Sequence, residues 1–194
     1  MNKISKLIRR FTIPPVFAAV LLITIYIVFP QYFGNVWHLI GGLISLTILP
    51  ILAYPLQKCF PSFKDRGREG QRSLAMIFSF IGYLSGTLIS FVLSAPIELK
   101  LIYLEYLLCG FGMLLLNKVF KIKASGHACG VVGPVIIFLY FGLYIPALIG
   151  TSLIVPVYIS SVRTKQHTVS QLIVGSIIPI VTLCLIVLTF YIVL

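Results

Sequence analysis

At 194 residues, 59% of them hydrophobic and with a mean hydropathy of +1.09, the chain has too little polar surface to fold as a soluble domain. Charged residues make up 10%, against about 25% in soluble proteins, so lipid is the solvent this composition fits. Fifteen Lys and Arg against four acids give +11, which in such a chain speaks for anionic headgroups and topology rather than nucleic acid.

In chain order, Lys3, Lys6, Arg9 and Arg10 precede an apolar run from Phe11 to Phe29. The pattern imitates a signal peptide. The run is long enough to span, however, and no small-residue cleavage site follows it, which predicts a retained first helix. Further spans are predicted over Val36–Leu56, Ser73–Leu93 and Leu99–Leu116. Near the start of the second, Trp37 and His38 read as an interface anchor on an uncharged side. Glu105 is an acid inside an apolar run; functional use and a snorkelling pair with Lys100 are both open.

The run from Ala128 to Ile159 is too long for one helix. It contains Gly142-Leu143-Tyr144-Ile145-Pro146, and a residue before proline resists the helical region. Two short spans are expected, about Ala128–Phe141 and Ile145–Ser160, followed by a final one from Thr168. The expected fold is therefore an all-α polytopic transmembrane bundle of six to seven spans, a single domain over residues 1–194. Six is the count if the split region is re-entrant. With seven crossings, fourteen of the fifteen Lys and Arg share one side and only Lys100 lies on the other, which predicts that this side is cytoplasmic.

Four cysteines (Cys59, Cys109, Cys129, Cys184) show no paired spacing, so neither a disulfide framework nor a metal site is read from them. Chemistry concentrates instead in three polar loops that parity places on one side: Phe63–Arg72, Lys123–Gly130 and Ser160–Gln171. In the second, Ser125-Gly126-His127 precedes a span and offers backbone N–H groups to an anion at a helix N-terminus. Gly126 lets a ligand approach the backbone closely. In the third, His167 and Gln171 are four apart and share one helix face, so Gln171 is placed to fix which imidazole nitrogen faces a substrate. One oriented imidazole is a competent nucleophile and a second a competent acid.

Set beside this are plainer readings. The histidines would serve equally as interfacial residues at helix starts, and Lys64, Arg66 and Arg68 as a topology signal. Cys129 beside the Ser-Gly-His string has no third group to orient a cysteine nucleophile, and acids and histidines are too few nearby for a metal shell.

These loops resemble the motifs of the type 2 phosphatidic acid phosphatase family, the membrane lipid phosphate phosphatases. Its three motifs read KxxxxxxRP, PSGH and SRxxxxxHxxxD. Ala124-Ser125-Gly126-His127 matches the second with only the proline replaced, and Ser160, His167 and Gln171 match the third at its spacing. The resemblance covers about residues 64–175.

It implies a metal-independent phosphoric monoester or diphosphate hydrolase without a cofactor, acting on a lipid phosphate or polyprenyl (di)phosphate. It implies His167 as nucleophile through a phosphohistidine, His127 as acid and Gln171 as orienting group. Arg72, Lys64, Ser125, Gly126, Lys123 and Arg163 would hold the phosphate. Membrane lipids are then the expected partners. Three positions depart from the motifs. Ser161 stands where motif three has arginine, leaving Arg163 and Lys165 nearby. Gln171 replaces an acid, a form that recurs in a subgroup. Lys64 lies eight residues before Arg72 rather than seven. The alternative is a catalytically degraded relative acting as transporter, flippase or assembly factor; a third possibility is a phosphotransferase of the same fold.

Overall fold

The computed structural model describes residues 13–193, and the basic tail from Lys3 to Arg10 lies outside them. Among the described residues the regular structure is entirely helical: α1 (Pro14–Val28), α2 (Val36–Cys59), the short α3 (Pro61–Lys64), α4 (Gly67–Val92), α5 (Ile97–Val119), α6 (Gly126–Tyr140), α7 (Tyr144–Arg163) and α8 (Val169–Val193). Five of these, α2, α4, α5, α7 and α8, are long and apolar enough to cross a membrane. Helices α1 and α6 have 15 residues each, about 22 Å at 1.5 Å per residue, against a hydrocarbon core of about 30 Å.

The long run after Ala128 divides in two where expected, between Tyr140 and Tyr144, but the glycine makes the break rather than the residue before proline. Gly142 ends α6 in the left-handed region (φ +73°), where glycine carries no Cβ penalty. Its N–H donates to Leu139 O (3.1 Å) and that of Leu143 to Phe138 O (2.8 Å), satisfying the last carbonyls. Ile145, before Pro146, is already helical in the first turn of α7.

The helices pack as two compact units. The first runs from Ala18 to Leu107. In lipid, helices gain no hydrophobic drive toward one another, so small residues that let backbones approach carry the association. Gly82 and Gly86 of α4, four apart, do this: a Cβ on the first would collide with the Ser45 carbonyl and on the second with the Tyr103 ring. Ser45 lies in a π-helical turn of α2 (Ile44–Ile48) just before Pro50. Proline has no N–H to close an α-turn and its ring crowds the carbonyl four residues back, so the wider turn relieves both conflicts. Glu105 is 1% exposed in this unit, which removes the snorkelling reading; Lys100 Nζ instead sits 5.2 Å over the Phe91 ring.

The second unit comprises Leu108–Leu194 with the start of α1 up to Phe17. In it α6 and α8 run parallel, since Ser125 meets Gln171 and Gly175 at one end while Gly133 faces Pro179 further along. Helix α7 returns between their sequences, and Gly150 leaves room for Val135. Cys109, Ala124, Cys129 and Ile178 form a buried cluster, with Cys109 Sγ 3.3 Å from Thr182 Oγ1. Two of the four cysteines thus act as small core residues.

Candidate functional site

Two helix N-termini and two helix C-termini build the polar end of the second unit. Helix α5 finishes in a π-helical turn, Leu115–Val119, that presents Asn117. Its amide donates to Met113 O (2.8 Å) while its Oδ1 accepts from the Ala124 N–H (3.1 Å). Asn117 thereby latches the loop that carries Ser125-Gly126-His127. Ser125 then caps α6: its backbone is extended (φ −89°, ψ 109°) and its Oγ accepts from the Ala128 N–H at 3.3 Å.

At the end of α7 the chain turns through Lys165 in the left-handed region (φ +51°). The Lys165 N–H bonds to Val162 O (2.9 Å) and the Gln166 N–H to Ser161 O (3.2 Å), the bond pattern that closes a helix on a left-handed residue. A lysine there costs roughly 1–2 kcal/mol relative to glycine. Two residues on, Thr168 and Gln171 form a reciprocal cap on α8. The Gln171 N–H donates to Thr168 Oγ1 (3.3 Å) and the Thr168 N–H to Gln171 Oε1 (3.4 Å).

The same Gln171 Oε1 lies 3.1 Å from His167 Nδ1. An amide oxygen only accepts, so His167 Nδ1 carries the hydrogen and, in the neutral ring, Nε2 holds the lone pair. The orienting role expected of Gln171 therefore has a geometric basis, and the residue also caps the helix.

The two histidine loops are joined through the main chain. The Ser125 N–H donates to Gln171 O at 2.9 Å, and Gly175 gives the close approach this needs, since a Cβ there would collide with the Ser125 carbonyl. Parallel α6 and α8 thus bring their positive dipole ends side by side. Around them Gly126, Lys123, Arg163 and Lys165 are exposed, and His127, His167 and Gln171 are half-buried, with His127 Nε2 on the protected side of its ring.

Other expected contributors are engaged in other ways or belong to the other unit. Ser125, expected among the phosphate contacts, is 0% exposed with its hydroxyl engaged as the cap, so its contribution is to shape the loop. Ser161, at the arginine position of motif three, is 1% exposed and donates to Val157 O (2.8 Å). Lys64 and Arg72 are exposed residues of the first unit, and none of the contacts just described involves them. His38 also belongs to the first unit. Among the described residues no group of three His, Cys, Asp or Glu is placed to hold a metal ion.

Sequence reasoning missed Asn117 and Thr168. The second had a signal, because Thr-x-x-Gln before an apolar run is a capping-box spacing. Asn117 had none, since its partner is set by how the loop folds back. Compared with known protein families, characterised proteins and solved structures, the chain matched nothing.

Proposed function

We propose that this chain is an integral membrane phosphatase that hydrolyses a lipid phosphate or polyprenyl (di)phosphate through a phosphohistidine. What supports this most is one arrangement: Gln171 holds His167 by Nδ1 while its own backbone oxygen grips the Ser125 N–H beside His127. A nucleophile of fixed tautomer thus stands next to a helix N-terminus, with three exposed cations on the flanking loops.

In this reading His167 Nε2 attacks phosphorus and the bond from phosphorus to the leaving oxygen breaks. His127 supplies the proton that oxygen takes up. Water, giving its proton back to His127, then attacks phosphorus, the phosphorus–nitrogen bond breaks, and phosphate leaves with His167 restored. The Gly126 N–H, Lys123, Arg163 and the paired helix termini stabilise charge on the non-bridging oxygens, the part of phosphoryl transfer a protein contributes most to. Arg163 stands in for the arginine absent at Ser161. The helices cross the cell membrane six or seven times, with α1 and α6 as short crossings, and the cationic side faces the cytoplasm.

The test is phosphate release from phosphatidic acid, phosphatidylglycerol phosphate and a polyprenyl diphosphate by purified protein in EDTA, with trapping of the phosphoenzyme. Activity and trapped label that both vanish in His167→Ala support the proposal; equal release from both proteins rejects it. The buried Ser161 favours a second reading, a membrane protein of this scaffold that moves or assembles lipids without hydrolysis. It predicts binding of the same lipids with no release by either protein. Added alcohol acceptors distinguish transfer of the phosphoryl group from hydrolysis.

A further inference from the structure

The first unit carries a cavity of about 300 Å³ at the end of α4 away from its basic segment. With 26 residues, α4 separates the two ends by about 39 Å. The lining includes Asn35, Trp37, His38 and Gly41 from the start of α2, Ser90 near the end of α4, and Tyr103 of α5. The volume is at the lower end of small-molecule clefts, about 300–1,000 Å³. Its polar groups are all uncharged donors and acceptors, because no Lys, Arg, Asp or Glu is among the lining residues. Lys100, a turn from Tyr103, is turned onto the Phe91 ring.

The hydrogen-bonding capacity of these lining residues follows from the bonds already made. His38 Nδ1 lies 2.5 Å from Phe33 O, and a carbonyl only accepts, so Nδ1 carries the hydrogen and Nε2 of the neutral ring is an acceptor. Asn35 Oδ1 is engaged with the His38 N–H (3.1 Å), which leaves its amide hydrogens as donors. Ser45 Oγ gives its one hydrogen to Gly41 O (2.8 Å), so at 3.3 Å it accepts from Tyr103 Oη, which keeps its lone pairs as an acceptor. These groups belong to residues that line one space without a charge, beside the apolar and exposed Ile89 and Leu93.

We propose that this cavity binds the hydroxyl end of an uncharged long-chain alcohol, with the chain lying along Ile89 and Leu93. A hydroxyl both donates and accepts, and so satisfies an acceptor, His38 Nε2 or Tyr103 Oη, together with the Asn35 amide donor. An anion would be desolvated with no cation to meet it, and a plain hydrocarbon would leave these polar groups unpaired. The inference stands on the first unit alone. If the proposed hydrolysis also holds and acts on a phosphate monoester of a neutral lipid, such as phosphatidic acid, the alcohol it releases belongs to this class.

The chain contains one tryptophan, and Trp37 lines the cavity, 74% exposed, so its fluorescence is a built-in reporter. The experiment titrates full-length protein in nanodiscs with 12-bromododecan-1-ol, whose bromine quenches indole on contact. Dodecan-1-ol and dodecyl phosphate serve as competitors. Gly41→Leu fills the space, and its first carbon is accommodated, the nearest atom being Tyr103 Oη at 3.9 Å. Tyr103→Phe keeps the ring packed on Gly86 and is the second variant should the first not fold. Saturable quenching displaced by dodecan-1-ol but not by dodecyl phosphate is expected. The apparent Kd should rise at least tenfold in Gly41→Leu and about fivefold in Tyr103→Phe, the worth of one neutral hydrogen bond. Linear, non-saturable quenching that is identical in wild type and both variants would overturn the proposal, as would equal displacement by the phosphate.

Discussion

His38, in the first unit, donates from Nδ1 to the Phe33 carbonyl; His167, in the second, donates from Nδ1 to Gln171 Oε1. Both stand at the start of a long helix whose cap is a side chain, Asn35 in one case and Thr168 in the other. Both present the lone pair of Nε2 in the neutral ring. What differs is the company. Around His167 are the exposed Lys123, Arg163 and Lys165, and around His38 only neutral groups line the cavity. The same imidazole geometry therefore suits an anion at one place and a hydroxyl at the other, and the deciding variable is neighbouring charge rather than the ring.

Removing the nucleophile breaks the comparison most sharply. His167→Ala should lower phosphate release by at least about a thousandfold, as loss of a covalent nucleophile does, while saturable quenching of Trp37 by the brominated alcohol persists. Loss of that quenching in the same variant would show that the two sites are not independent. Next in size is Gln171→Leu, which frees the ring and removes half of the α8 cap. On the order of a 10–100-fold fall in kcat is expected from the lost orientation. About 1 kcal/mol of stability should go with the cap, read by denaturant unfolding. Gln171→Glu keeps an acceptor in place and should recover most of both. A purely structural Gln171 would move stability and leave kcat unchanged.

The charge contrast itself is probed by Lys123→Met with Arg163→Met. Each exposed cation is expected to change KM by a few-fold with kcat nearly constant, an effect that fades as salt rises. Alcohol binding at Trp37 should show no such salt dependence. The smallest effect belongs to Lys165→Gly, which relieves the left-handed backbone and should stabilise the protein by about 1 kcal/mol. A drop in stability there would show that the lysine side chain makes a contact worth more than the strain.

Apolar run length made the helices legible from sequence, because a run of about 20 residues is what hydrocarbon requires. The break around Gly142 was legible because its chemistry is local. The spacing of His167 and Gln171 was enough to anticipate their bond. Three things were not legible. The division into two units depends on which helix faces carry Gly82, Gly86 and Gly175, and hydropathy measures transfer into lipid, not helix pairing. Burial of Ser125 depends on Gln171 arriving from 46 positions away. The cavity beside His38 forms from three helices whose lining residues share no local pattern, so that histidine read only as an interface anchor.

The Asn117 latch carries a further consequence. In the motif that this loop resembles, the position of Ala124 is proline, whose ring stiffens the backbone but leaves no N–H. Here the Ala124 N–H is the group that Asn117 Oδ1 receives. The two ways of stiffening the entry to the histidine loop are therefore mutually exclusive: a cyclic residue provides rigidity within the chain, whereas alanine requires a neighbour to supply it. Restoring the ring would strand the asparagine, so the two positions can only change in concert.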